Sequence, residues 1–282
     1  AIIMILDLNK YSVGSAVILT VILVTVALQV WLKHRLGKET IKSFHEVGGY
    51  YMSVAGTLYA VILGMVVVDS LSHFNEAKQH LETEAHSLEE VYLIAEKMPE
   101  PYRSSIRGSI RNYTEETLKQ GWQHMQIGER DTEGLALFDQ IILEVREVEP
   151  VTENQKTLYA TMVNSVINAG ESRRDRLIYS HNQIPDIEWF SLIIGGIMTI
   201  LFTMFFTSEY TLGQAIMTAM VTLLVSLNLY LAFLFSNPYN GDLQVPKDGF
   251  ITLKHFIETN RLSINEKRAI RGSSDQPKVN PL

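Results

Sequence analysis

The sequence predicts an all-α integral membrane protein with four transmembrane helices and a helical soluble insert between spans two and three. Three observations carry this. Apolar residues make up 46% of the 282-residue chain but gather in four windows, each near the roughly 20 residues needed to cross a bilayer. No apolar/polar alternation of strand type runs longer than four residues. Between the second and third windows the apolar residues recur at three and four, the helical spacing.

Span one is Ser12–Leu32. It has no basic flank beyond Lys10 and no small-residue cleavage site after it, so it is expected to stay in the membrane and not to be cleaved as a signal peptide. Span two, Val47–Leu71, is rich in Gly, Ser, Thr and Tyr and carries no charge before Asp69, where the hydrocarbon should end. Spans three and four are Phe190–Thr207 and Gln214–Ser236. Trp31 and Trp189 read as interface anchors. The organisation is therefore a first hairpin (1–70), the insert (71–187), a second hairpin (188–236) and a C-terminal tail (237–282).

Span two runs into the insert without a Gly, a Pro or a turn cluster, and the helix should continue to Lys97 before "MPEPY". One face of it reads Gly49, Ser53, Gly56, Ala60, Gly64, Val67, Leu71, Phe74, Lys78, Leu81, Ala85, Leu88. Small residues dominate it in lipid, where close backbone approach drives helix association. Apolar ones dominate it in water, where burial does. Such a helix would be roughly 75 Å long at 1.5 Å per residue, which points either to self-association or to packing by the insert. A second helix runs from Pro101 to Gly128 on Ile106, Ile110, Tyr113, Thr117 and Leu118. Asp131 or Thr132 caps a third, carrying Leu135, Phe138, Ile142 and Val145; Thr152 caps a fourth, ending before Pro185. The tail holds a turn at "NPYNGD", a short amphipathic helix around Leu253–Ile257 and an end (272–282) of disordered composition.

Function classes narrow from here. The chain has no cysteine, which removes disulfides, thiol catalysis and Cys-ligated zinc. No HExxH, GxSxG, phosphate loop or dinucleotide fingerprint is present, and the chain reads as a non-enzyme with no required cofactor. The net charge of −7, with 12 basic against 20 acidic residues over 71–187, argues against nucleic acid as a partner. Asp69, His73, Glu76, His80 and Glu84 share one helix face, carboxylates alternating with imidazoles. That face either is solvated, or attracts cations, or binds a divalent metal through Glu76 and His80 at i, i+4. Tyr59, Leu63, Val67 and Asp69 are candidate pore or gate positions, Tyr59 reading equally as a core hydroxyl. Asn228, with Thr218, Thr222 and Ser226 before it, is polar in mid-membrane and needs a partner or a pathway. Arg173, Arg174 and Arg176 beside Glu171 and Asp175 read as a solvated ridge, or as an anion site. The basic loop "KHRLGKETIKSFHE" (33–46) should be cytoplasmic, which places the insert outside an inner membrane.

Three segments, "GTLYAVILGMVVVDS" (56–70), "EAHSLEEVYLIAEKMPEPYR" (84–103) and "NPYNGDLQV" (237–245), occur in this order over nearly the whole chain. Together they resemble the bestrophin-like domain family of bacterial membrane proteins, a family of unknown function. The resemblance to bestrophins implies a pentameric anion channel with four membrane helices per subunit, a large helical region and cytoplasmic termini. Span two shows no aromatic-rich neck run, so the bestrophins' own filter and neck motifs are not matched residue by residue. Two readings follow. One is a homo-oligomeric channel for inorganic ions bordered by span two, the acidic insert favouring cations and the resemblance anions. The other is a non-conducting sensor or scaffold whose insert binds a ligand, metal or partner.

Overall fold

A computed structural model describes residues 8–36, 38–127, 129, 131–181, 184–204 and 210–260, with the backbone alone described for 36, 38–48 and 181. Among them every regular element is helical. The helices are α1 (Tyr11–Leu36), α2 (Lys38–Ala95), α3 (Tyr102–Glu116), a π turn (Thr117–Gly121), α4 (Trp122–Ile127), α5 (Thr132–Arg146), α6 (Glu153–His181), α7 (Asp186–Met204), α8 (Thr211–Phe235) and α9 (248–260). Four of them, α1, α2, α7 and α8, are long and apolar enough to cross a membrane. The expected end of span three at 205–207 and the tail 272–282 lie outside the described residues.

The chain forms two compact units, Ala1–Glu76 with Asn182–Val245, and Ala77–His181 with Pro246–Leu282. In the first, α1 and α7 both pack on α8. The membrane half of α2 joins them through a small cluster: Tyr59 and Leu63 with Leu192, Ile200, Met204 and Val225. After α8 the chain turns back onto the start of α1. Asp242 donates its N–H to the Asn9 carbonyl at 3.0 Å, and its carboxylate accepts the Tyr11 N–H at 2.8 Å. Gly241 makes the turn possible: its φ is +83°, and a Cβ would sit 2.3 Å from the Asn9 carbonyl oxygen.

The second unit is a water-type helical bundle. Leu81, Leu88 and Val91 of α2, Ile106, Ile110 and Tyr113 of α3, Ile141 of α5 and Met162 of α6 are fully buried. Each aliphatic member contributes about 1.5–3 kcal/mol relative to exposure. The expected caps are present: Asp131 accepts the Gly134 N–H at 2.7 Å, and Thr152 Oγ1 accepts the Gln155 N–H at 3.2 Å. Three expectations are corrected. The helix over 101–128 is interrupted by the π turn. The core face of α5 is Phe138, Ile141 and Val145, with Leu135 47% exposed. The short C-terminal helix is no separate tail element: Phe250, Leu253 and Ile257 are buried, and Gly249 lies against Leu81 and Ala85.

Candidate functional site

The membrane half of α2 has one packed face and an open remainder. Tyr59 and Leu63 are on the packed face, and Val67 is half-buried at its edge. The seat of Tyr59 is the Gly195–Gly196 pair of α7: a Cβ on Gly195 would lie 2.4 Å from the tyrosine ring, and one on Gly196 2.9 Å from its oxygen. Within the subunit, Tyr59 is thus the core ring and Leu63 its neighbour, not a lining of open space. Tyr50, Val54, Leu58, Val61, Met65 and Val68 are all more than half exposed. Of the small-residue stripe, Gly49 and Gly56 are half-buried, while Ser53, Ala60 and Gly64 are exposed. A Cβ on Gly64 meets nothing among the described residues within 4 Å.

At the end of this face Asp69 is open, its side chain 72% exposed and 3.5 Å from His73 Nε2. Ser72 donates to Glu76 Oε1 at 3.1 Å. Asp69, Ser70, His73, Pro185, Glu188 and Ser236 help line a cavity of about 240 Å³. Among the described residues no group of three or more His, Asp and Glu side chains is placed to hold a metal ion, so the Glu76/His80 pair gains no third ligand.

In the insert the acidic stripe ends. His80 lies 3.7 Å from Asp175 and stacks on Tyr179. Glu84, expected among the ion-attracting residues, is fully buried. Arg176 donates to it from Nε at 2.6 Å and from Nη2 at 3.2 Å, and Tyr113 donates its hydroxyl to it. Burial first, and then the Glu84 charge, hold the Tyr113 proton far above the usual phenol range, which keeps Tyr113 a donor. Arg173 and Arg176 are 6% and 1% exposed, so the basic ridge is mostly core; Arg174 alone faces out.

Asn228 donates to the Leu224 carbonyl at 2.8 Å, one turn back on its own helix. Polar contacts between the spans lie elsewhere. Thr25 and Thr222 meet at 3.3 Å across α1 and α8, and Lys33 donates to Thr211 at 3.0 Å. Gln29, Gln214 and Thr218 are buried between them. The spacing Thr25, Gln29, Lys33 on one span, matched by Thr211, Gln214, Thr218, Thr222 on another, is the signal that marks this seam.

The comparisons with known proteins extend over most of the chain. The family model described as the bestrophin-like domain matches residues 17–250. Crystal structures of a bacterial bestrophin homolog from Klebsiella pneumoniae are similar in fold. Two single-residue variants align at 12% identity with TM-scores of 0.68 and 0.69, covering 85% of this chain and 97% and 98% of theirs. The structure solved by Zn-SAD phasing aligns at 11% identity and TM-score 0.67, covering 85% and 97%. A search of curated proteins finds no match.

Proposed function

Since the chain belongs to the bestrophin-like family, we propose that it is an oligomeric membrane ion channel whose pathway is bordered by α2. The observation that carries this is the open circumference of α2 in the membrane: Tyr59 and Leu63 face the chain's own bundle, while Val61, Gly64, Met65 and Val68 face away from it. A helix that presents most of its surface beyond its own subunit is suited to a ring of copies around an axis. In this reading Tyr59 and Leu63 hold α2 in place. Asp69 and His73 stand at the mouth, where an open carboxylate raises the local cation concentration.

Ion preference is decided by two opposed contributions. The 20 acidic against 12 basic residues of 71–187 favour cations; bestrophin kinship favours anions. The basic 33–46 loop orients the insert to the outside of an inner membrane. A membrane-impermeant maleimide should then label Glu153→Cys in intact spheroplasts, and labelling only after lysis would reverse the orientation.

The test of function is ion flux through the purified protein in liposomes, with potassium, calcium and chloride gradients applied separately. Selective flux that is blocked by thiol reagents on single cysteines at 64, 65 or 68 supports the channel and names its ion. The native absence of cysteine makes the block interpretable. Inserted protein that conducts under none of these gradients supports the sensor or scaffold reading instead.

A further inference from the structure

The insert holds a polar cluster that the channel reading does not use. It forms where the π turn meets the start of α5 and the middle of α6. Asp131 is its hub. Oδ1 accepts the Gly134 N–H and lies 3.7 Å from His124 Nδ1; Oδ2 lies 3.9 Å from Arg173 Nη2. Gly121, in the π turn, keeps the approach open: a Cβ there would lie 3.2 Å from Asp131 Oδ2.

Glu116 is the residue before the turn. It is 9% exposed, and among the described residues its Oε1 has no hydrogen-bond partner. Among the same residues Thr117 Oγ1, at 1% exposure, has none either, nor do His124 Nδ1 and Arg173 Nε and Nη2. The separations of 3.7 and 3.9 Å exceed hydrogen-bonding range. Buried polar groups of the turn and of the Asp131 cluster thus lack hydrogen-bond partners among the described residues, next to a helix turn already wider than an α-helix. Single π turns of this kind recur at functional sites.

We propose that Glu116, with His124, Asp131 and Arg173, forms a proton-binding site that governs the π turn 117–121. With Glu116 neutral, the turn packs closed. With Glu116 charged, a buried carboxylate faces Asp131 and Glu133 without a donor, and the turn loosens. Among the described residues, the other charged groups around Glu116 are His124 and Lys119 on its own helical segment; Arg173 of α6 reaches the cluster through Asp131.

The direction of the effect follows from the environment. Burial first, then the charges of Glu133 and Asp131, push the Glu116 carboxyl above the usual carboxylate range; His124 and Lys119 pull against this. The folded state therefore keeps this proton to higher pH than the unfolded chain does. The closed turn is most stable at and below the ordinary glutamate range, and loses stability as pH rises through the raised value.

The experiment is amide hydrogen exchange on the full-length protein in detergent, from about pH 5 to about pH 8, corrected for the intrinsic pH dependence of exchange. Peptides covering 117–127 should lose protection as pH rises, by about tenfold for each pKa unit separating the two states. Peptides from the start of α6 should not follow. Glu116→Gln should stay protected across the range. Glu133→Gln, at an exposed position, removes a repelling charge and should move the loss of protection to lower pH. A flat wild-type profile, a Glu116→Gln profile identical to wild type, or an unmoved Glu133→Gln profile each overturns the proposal. If Glu116→Gln does not fold, the wild-type and Glu133→Gln profiles decide it.

Discussion

Arg176 shows how little a single residue's role can be inferred from its neighbours in sequence. Among Glu171, Arg173, Arg174 and Asp175 it looks like one more surface charge. In the fold it is 1% exposed, with Glu84 as its counter-ion and the Phe250 ring 5.7 Å from its guanidinium. The partner stands 92 positions away, and no local pattern encodes it. Asp131 and Thr152 are the opposite case: a cap is chosen by the three residues after it, so both were readable from the sequence. Removing one member of the buried pair leaves the other uncompensated. Arg176→Met should lower the unfolding free energy of the solubilised protein by about 3–5 kcal/mol. Adding Glu84→Leu should restore part of that loss, since two apolar side chains need no partner. Equal melting of the single and double variants would show that the charge is not what matters there.

At the scale of helices, the membrane spans were legible because length and apolarity alone specify them. The continuity of α2 through Asp69 was legible for the same negative reason: nothing in the sequence stops it. The π turn was not, because nothing in the residues Thr117–Gly121 distinguishes a π turn from an α-helical one. The direction in which span two faces was also hidden. Tyr59 reads as gate or core until Gly195 and Gly196 are seen beneath it. This contact predicts an element-level failure. Gly195→Ala drives a methyl into the Tyr59 ring and should destabilise the α2–α7 contact by about 1–3 kcal/mol, the range for overpacking. Tyr59→Leu in the same chain should relieve it. A Gly195→Ala protein that melts like the wild type would mean the ring is free to move aside.

For the whole molecule, the central question is what covers the open side of α2. Gly64→Leu is a clean probe, because a Cβ at Gly64 meets nothing among the described residues within 4 Å. Gly56→Leu is a second: among the described residues a Cβ at Gly56 meets the end of Met52 alone. Both substitutions should leave the subunit folded and weaken the assembly, since close approach of α2 to another copy would be lost. Native mass should shift toward smaller species while the melting of the insert is unchanged. An unaltered native mass would place the contact between copies on another face. The small-residue stripe was visible in the sequence. Its freedom from intrachain contact at Gly64 was not, because a glycine stripe reads the same whether it packs within a chain or between chains.

The position of α9 bears on how the protein is made. The insert is synthesised early, yet its core is finished by Phe250, Leu253 and Ile257, and by Gly249 against Leu81. These residues leave the ribosome only after α7 and α8 have been translated. Until then Leu81, Tyr113 and Arg176 wait without their final covering, in a domain whose other helices are already present. Synthesis of the second hairpin therefore comes before completion of the insert core. A nascent chain stalled between 181 and 246 would carry an exposed apolar groove, the kind of surface that chaperones bind. The last helix acts as a seal on assembly order, closing the insert only on chains whose membrane half has already been made.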